Sequence, residues 1–211
     1  MNRFTYSIAV LIISILGVNA QNNTDAERVI SNLLNSAKTS AIKTNFKLSV
    51  TQKNAVTSQS SSGTFTLKGN KFVLEMDQMK AWFDGKTQWA YMEENNEVSI
   101  TEPSETELAQ TNPMAILLGY KSKSIVRFSK TKSTQNYIID MIPKVKNNDF
   151  VKIEVQVNKT SGNLVSIKLT DKKNTITLLS LTNYQKGIKI SDDVFVFNKS
   201  KFKGVAINDL R

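Results

Sequence analysis

The sequence predicts a mainly β chain, one large curled antiparallel sheet covered on one face by an N-terminal helix and short apolar helices. Three observations predict it. From Phe46 onward apolar residues recur at every second position, which is strand periodicity. Turn signals such as Asp84-Gly85 and Ser161-Gly162-Asn163 separate the apolar runs, as hairpins require. Helical spacing is confined to the N-terminal region and to residues 103–119. About ten or eleven strands follow from this pattern, and a sheet that large must curl and bury one face.

The first element is a leader. Arg3 supplies a positive start, Ile8 to Leu16 an apolar run, and Val18-Asn19-Ala20 a small-residue cleavage site. That is the three-part pattern of a secretory signal. The apolar run is about half of the roughly 20 residues a membrane-spanning helix needs. Cleavage after Ala20 is therefore expected, with residues 21–211 forming one exported, extracytoplasmic domain. The chain has 211 residues, a net charge of +10, no His and no Cys. Without those two residue types there is no Ser-His-Asp or Cys-His nucleophile, no disulfide and no ordinary zinc site.

Asp25 to Ser40 reads as a helix. Thr24 and Glu27 have capping-box spacing, and Ile30, Leu33, Leu34 and Ala37 form one apolar stripe. The strands start with Phe46, Leu48 and Val50, then Phe65 and Leu67, then Phe72, Leu74 and Met76. Trp82 and Phe83 lead into the Asp84-Gly85 turn, Trp89 and Tyr91 lie on its far arm, and Val98 and Ile100 follow. Residues 103–119 interrupt the series. Ser104 and Glu107 offer a cap, Asn112-Pro113 opens a second turn of helix, and Gly119 is a natural stop after Met114, Ile116, Leu117 and Leu118. A short, very apolar helix between strands covers something. Strands resume at Ile125–Lys132, Gln135–Met141, Phe150–Val157, Leu164–Thr170 and Thr175–Tyr184, with a last short one at Val194–Phe197.

Charge is unevenly spread. Residues 75–107 carry nine acidic side chains against Lys80 and Lys86, whereas 121–146 carry seven basic ones against Asp140. Two readings stand: solvated strand faces, or a surface for an acidic partner or an anionic membrane. Nucleic acid is not indicated, since no binding motif accompanies the lysines. The carboxylates have no defined pairing for hydrolysis, so no enzyme, cofactor or metal is expected. The apolar content of 72–92, with both Trp residues and several Met, suits either a packed core or an adaptable apolar surface. A concave sheet face beneath an apolar helix would make a lidded groove for an acyl chain. A structural or adaptor domain with a plain packed core is the competing class.

Several of these segments together resemble the LolA family, periplasmic carriers of outer-membrane lipoproteins. They are the leader and first helix, Phe46 to Gln52, Gly63-Thr64-Phe65-Thr66-Leu67-Lys68, Lys71-Phe72 and Asp84-Gly85-Lys86-Thr87-Gln88-Trp89-Ala90-Tyr91. Glu97-Val98-Ser99-Ile100, Asn112-Pro113 with Leu117-Leu118, and the ending Asn208-Asp209-Leu210-Arg211 complete the set. The resemblance implies an unclosed antiparallel β-barrel, a half-barrel, whose cavity holds the acyl chains of a lipoprotein. It implies a monomer that accepts cargo from an inner-membrane ABC-type transporter and passes it to an outer-membrane receptor. The expected cavity and lid residues are Phe46, Leu48, Phe65, Leu67, Phe72, Leu74, Met76, Trp82, Trp89, Tyr91, Met114, Leu117 and Leu118. The family's Arg-Pro pair after the Gly-x-Phe strand is missing; Lys68 runs into Gly69-Asn70 instead. In the family that arginine fixes the lid, so Lys68 is the nearest candidate for a lid contact. Its ammonium cannot reproduce a guanidinium fork. The departure keeps a second reading open, a LolA-like carrier of another lipid, glycolipid or lipid-linked molecule.

Overall fold

The computed structural model describes residues 13–54, 57–105, 107–108, 112–145 and 149–211, with side chains described from Asn23 onward. Helix α1 spans Ile13–Thr39 and α2 spans Pro113–Lys121. Before α2 come strands β1 (Ile42–Thr51), β2 (Gln59–Lys68), β3 (Lys71–Met76), β4 (Met79–Phe83), β5 (Gln88–Met92) and β6 (Glu97–Thr101). After it come β7 (Ser124–Phe128), β8 (Asn136–Pro143), β9 (Phe150–Asn158), β10 (Leu164–Asp171), β11 (Ile176–Lys186) and β12 (Ala206–Asp209).

Among the described residues all twelve strands form one sheet, ordered β12-β6-β5-β4-β3-β2-β1-β11-β10-β9-β8-β7. Two antiparallel meanders are thus joined where β1 pairs with β11. The two end strands, β12 and β7, do not pair with each other, so the barrel is unclosed. An open edge is a hazard for aggregation, and here α1 packs along β7 while β12 lies parallel to β6.

Alternation divides every strand between two faces. On the concave face, Ala26, Ile30 and Leu33 of α1 and Leu117 of α2 bury against Val126, Ile139, Met141, Ile153, Val155 and Ile167. Ala37 meets a second cluster on β1–β4. The expected stripe of Ile30, Leu33, Leu34 and Ala37 is the packed face of α1. On the convex face a third cluster joins Val73 and Trp82 to Phe195.

The turns form as their residues dictate. Asp84 Oδ1 accepts from the amides of Lys86 and Thr87 at 2.9 and 2.8 Å, and Gly85 takes φ +105°. Ser104 and Glu107 form the expected cap: the Ser104 amide donates to Glu107 Oε2 at 2.8 Å. Hydrogen bonds from the Ser104 hydroxyl and amide hold the Glu107 carboxyl below its usual range. Asn112 caps α2 by accepting from Met114 N at 2.9 Å, with Pro113 in the first turn.

Three expectations are corrected. α1 starts before Thr24: residues 13–23 contain no proline to stop the helix, so Thr24 lies inside it. The expected cleavage point after Ala20 falls within this helix, and residues 1–12 lie outside the described residues. α2 runs past Gly119 to Lys121. Its last turn is held by Tyr120 against Phe150, centroids 5.6 Å apart, and by Lys121 Nζ donating to Ser31 Oγ at 2.7 Å. Val194–Phe197 is not a strand. Asp192–Phe195 winds into a 3-10 turn that drives Phe195 into the convex cluster. The sheet gains its twelfth strand from Ala206–Asp209 instead.

Candidate functional site

The concave wall is built by register. Phe65 lies opposite Leu74 and Leu67 opposite Phe72 across β2 and β3. Phe72, Leu74 and Met76 then face Phe83, Ala81 and Met79 on β4. On the other side Phe46 and Leu48 face Leu181 and Leu179 of β11. The Phe72 ring sits 5.7 Å from Phe65 and 5.4 Å from Phe83. Gly63 is required at one point in this wall: a Cβ there would collide with the Glu75 carbonyl oxygen and crowd the Phe46 ring.

The structure brings together Phe46, Leu48, Phe65, Leu67, Phe72, Leu74, Met76 and Met114 in one apolar cluster. Leu117 is fully buried in the adjoining cluster, and Met114, Leu181 and Tyr184 touch both. Exposure is graded. Phe46, Phe65, Leu67, Phe72 and Leu74 are buried, while Leu48, Met76, Met79, Leu108, Met114 and Leu179 are only partly covered. The partly covered residues form a patch of flexible thioethers and leucines, suited to a variable apolar guest.

Three expected cavity residues lie elsewhere. Trp82, Trp89 and Tyr91 sit on the convex face, because Phe83 and Ala81 point inward and alternation turns Trp82 and its partner Trp89 outward. There they pack under residues 190–205: Trp82 lies 5.4 Å from Phe197 and 5.7 Å from Phe202, and Tyr91 4.6 Å from Phe202. Leu118 is 67% exposed, since one residue of helix turns it about 100° from the buried Leu117. Lys68 reaches no lid. Leu67 faces inward, so Lys68 faces out, donating to Asp192 Oδ1 at 2.7 Å and to the Ile190 carbonyl at 3.0 Å.

Lys68 and Lys71 together clasp Asp192, and their hydrogen bonds push its carboxyl down to about 2. Asn96, at φ +44°, accepts from the Tyr91 hydroxyl and donates to the Lys203 carbonyl. Residues 190–211 thus form a strap across the convex face, ending where Leu210 N donates to Ile100 O at 2.9 Å. A hollow of about 870 Å³ opens at the rim between this strap, the end of α1 and the β2–β3 turn. It is lined by Lys38, Lys68, Lys71 and Lys189 and does not open on the concave wall.

Sequence reasoning missed Met79, Ala81, Phe83, Leu179 and Leu181 as wall residues. Met79 and Phe83 were legible as the period-two partners of Ala81. Leu179 and Leu181 were masked by the adjacent Leu178. The Tyr184 hydroxyl, which touches both clusters of the wall, is pushed up to about 12 by burial. Among the described residues no group of carboxylates is placed to hold a metal ion. The wall's described residues are predominantly apolar, a surface that can solvate alkyl chains.

Comparison with known proteins bears on this geometry. The family described as outer membrane lipoprotein carrier protein LolA matches residues 16–173. An outer-membrane lipoprotein carrier protein of Shewanella sp. (strain MR-7) is 30% identical over 201 residues, 93% of this chain and 90% of that protein. One of Shewanella putrefaciens is 29% identical over 191 residues, 89% of this chain and 86% of that protein. In fold, the chain is similar to an uncharacterized conserved protein from Thermus thermophilus, with a TM-score of 0.58 at 9% identity, covering 88% of this chain and 99% of that one. The half-barrel with its apolar inner wall, and a match over most of the length, place the chain in the LolA family of outer-membrane lipoprotein carriers.

Proposed function

We propose that this protein is a periplasmic, non-enzymatic carrier that shields the acyl chains of lipoproteins and ferries them from the inner to the outer membrane. The observation that carries the proposal is the uncharged concave wall, whose partly covered patch at Leu48, Met76, Met79 and Leu179 lies beside Met114 of α2. Burying an alkyl chain is worth about 0.8 kcal/mol per CH₂. A chain of roughly sixteen carbons then gains on the order of 12 kcal/mol against water. That gain must exceed the cost of making room. The lid is slight: α2 is nine residues long, and Leu117 is its one fully buried apolar side chain. Exposing Leu117 costs about 1.5–3 kcal/mol, and the partly covered Met114, Ile116 and Tyr120 each add less. An acyl chain therefore outcompetes α2 for the wall, by displacing a short helix and leaving the sheet intact.

Direction cannot come from the carrier alone. It requires a donor that spends free energy and an acceptor that holds the cargo more tightly. An inner-membrane ABC-type transporter and an outer-membrane lipoprotein receptor fill those roles in this proposal. The test is release of lipoproteins from spheroplasts into the supernatant on adding the protein. Release that saturates with added protein supports the carrier; none, where an established carrier under the same conditions gives release, rejects it.

A specific observation favours a second reading. Lys68 is committed to Asp192 on the convex side, so the lid lacks the basic contact expected from the family pattern. A lid held, among the described residues, by Lys121–Ser31 and apolar packing suits a different lipid or glycolipid cargo. Native mass spectrometry of the co-purified ligand separates the two: an acylated protein supports the first reading, a free lipid the second.

A further inference from the structure

We propose that the corner where α2 runs into β7 docks on an anionic phospholipid surface. The corner combines positive charge with protruding aliphatic groups. Lys123 lies in the turn between the two elements, and its carbonyl accepts from the Lys144 amide at 2.9 Å, which sets Lys144 and Val145 beside it. Lys144 Nζ reaches the Ser122 carbonyl at 3.2 Å, so the ammonium is held at the turn. Leu118, one turn earlier on α2, is 67% exposed; Val145 is 64% and Ile125 46% exposed. Arg127, Lys130 and Lys132 extend the basic surface along and beyond β7, and all three are exposed.

Ion pairing sharpens the contrast. On the acidic strands Glu75 pairs with Lys80 and Glu102 with Lys86, which leaves Glu93, Glu94 and Glu97 without an ion pair among the described residues. Among the described residues, Lys123, Arg127, Lys130, Lys132 and Lys144 form no ion pair. Glu93, Glu94 and Glu97 belong to β5, β6 and their turn, near the opposite end of the strand order from β7. The β7 end therefore carries unpaired positive charge, whereas at the other end Glu93, Glu94 and Glu97 lie beside the strap segment carrying Lys199, Lys201 and Lys203. A negative surface attracts the β7 end more strongly, which biases orientation before contact.

An acidic protein partner is the weaker fit. A peptide strand cannot be added at β7, because α1 packs along that edge. The charges are mostly lysines, point charges without the planar fork that selects carboxylates bidentately. Aliphatic side chains flanked by lysine are what an interfacial contact uses, the methyl groups entering the headgroup boundary while the ammonium groups meet phosphate. Docking of this kind is independent of which cargo the wall holds. It presents the lid helix to the membrane.

The test is flotation of the full chain with vesicles of phosphatidylcholine alone and of phosphatidylcholine mixed with phosphatidylglycerol. An apolar leader would carry the chain to both kinds equally, so the readout is the ratio of the two affinities. Each lysine near an anionic surface counts for roughly fivefold in affinity. The pair Lys123→Glu and Lys144→Glu should lower the ratio on the order of a hundredfold, and raised salt should lower it for the unaltered protein. Leu118→Ser with Val145→Ser should weaken binding to anionic vesicles roughly tenfold. Lys86→Glu, a charge reversal at the acidic end, should leave the ratio unchanged. All five positions are exposed, so melting temperatures should stay alike and confirm folding. Equal affinity for the two vesicle kinds, or a ratio unmoved by reversing Lys123 and Lys144, overturns the proposal. So does binding to polyglutamate that anionic vesicles fail to displace, which would assign the corner to an acidic protein.

Discussion

Phe195→Ala should loosen the convex strap and leave the concave wall untouched. Phe195 is completely buried, between Val73 and Trp82 with Trp89, Tyr91, Ile190, Phe197 and Phe202 around it. Truncating a buried phenylalanine costs about 3–5 kcal/mol, and the low end applies where surrounding side chains can collapse into the gap. The strap is a surface segment, so about 3 kcal/mol is expected. For a domain of this size each kcal/mol shifts Tm by about 2–4 °C, so melting should fall by roughly 6–12 °C. Both tryptophans of the chain belong to this cluster, so their emission should shift to the red as water reaches them. Lipoprotein release from spheroplasts, measured well below the new Tm, should stay within about twofold of the unaltered protein, since no residue of the wall has changed. The reasoning is refuted if release collapses while Tm and emission hold. That outcome would mean that Phe195 and Trp82 contact cargo and that the two faces have been assigned the wrong way round.

Three further outcomes are expected. Asp192 has its carboxyl held near 2 by Lys68 and Lys71, below the usual unfolded value, so its contribution to fixing the strap is complete above about pH 4 and is lost as pH falls toward about 2. Tryptophan emission should shift over that interval, and Asp192→Asn should abolish that step. Gly63→Ala would push a methyl group into the Glu75 main chain; it should destabilise by about 1–3 kcal/mol, seen as a lower urea midpoint, and an unchanged midpoint would contradict the packing of β2 on β3. Met79→Glu puts a charge on the partly covered patch of the wall and should cut lipoprotein release at least tenfold while circular dichroism stays native. Lys80→Gln, one residue away on the outer face, should not.

Much of the fold was legible because its signals are local. Apolar runs and turn signals from Phe46 onward marked eleven of the twelve strands, and Asp84-Gly85 and Ser161-Gly162 fixed two of the turns through their own backbone preferences. The inner wall was legible wherever one face of a strand is apolar and the other polar, as in β1 with Phe46 and Leu48 against Asn45 and Lys47. It failed where both faces are apolar. In β3 and β4, Val73 and Trp82 are as hydrophobic as Phe72 and Phe83, and sequence alone does not reveal that a distant segment covers the second face. That cover, residues 190–205, depends on Phe195 and on Asp192 meeting two lysines more than a hundred residues earlier. The twelfth strand was illegible for the same reason: it is four residues long, fully exposed, and exists only because β6 offers an edge.

On the carrier reading, the wall must give up part of its cover to admit a guest, so contacts on the convex face help to keep the sheet in shape while it does. The strap bridges β2 through β6, using the Asp192 clasp at one end and the β12 pairing at the other. Ions bind the outer faces of β8 to β10, where Lys152 meets Asp140 and Glu154, and Lys168 meets Glu154. On the inside, α1 packs along β7 and remains part of the core, while α2, only nine residues long, packs on α1, β7 and β8, sets Tyr120 against Phe150 of β9, and lays Met114 on the β1–β4 cluster. If the wall admits a guest as proposed, the short α2 is the element that leaves at least cost, and its one buried residue, Leu117, decides its departure. On the carrier reading, Leu117→Ala should lower Tm and raise the rate of lipoprotein uptake together, because the same side chain holds the lid down and occupies the guest's place. Lower uptake in a folded Leu117→Ala protein would instead make Leu117 a cargo contact and require a different gate.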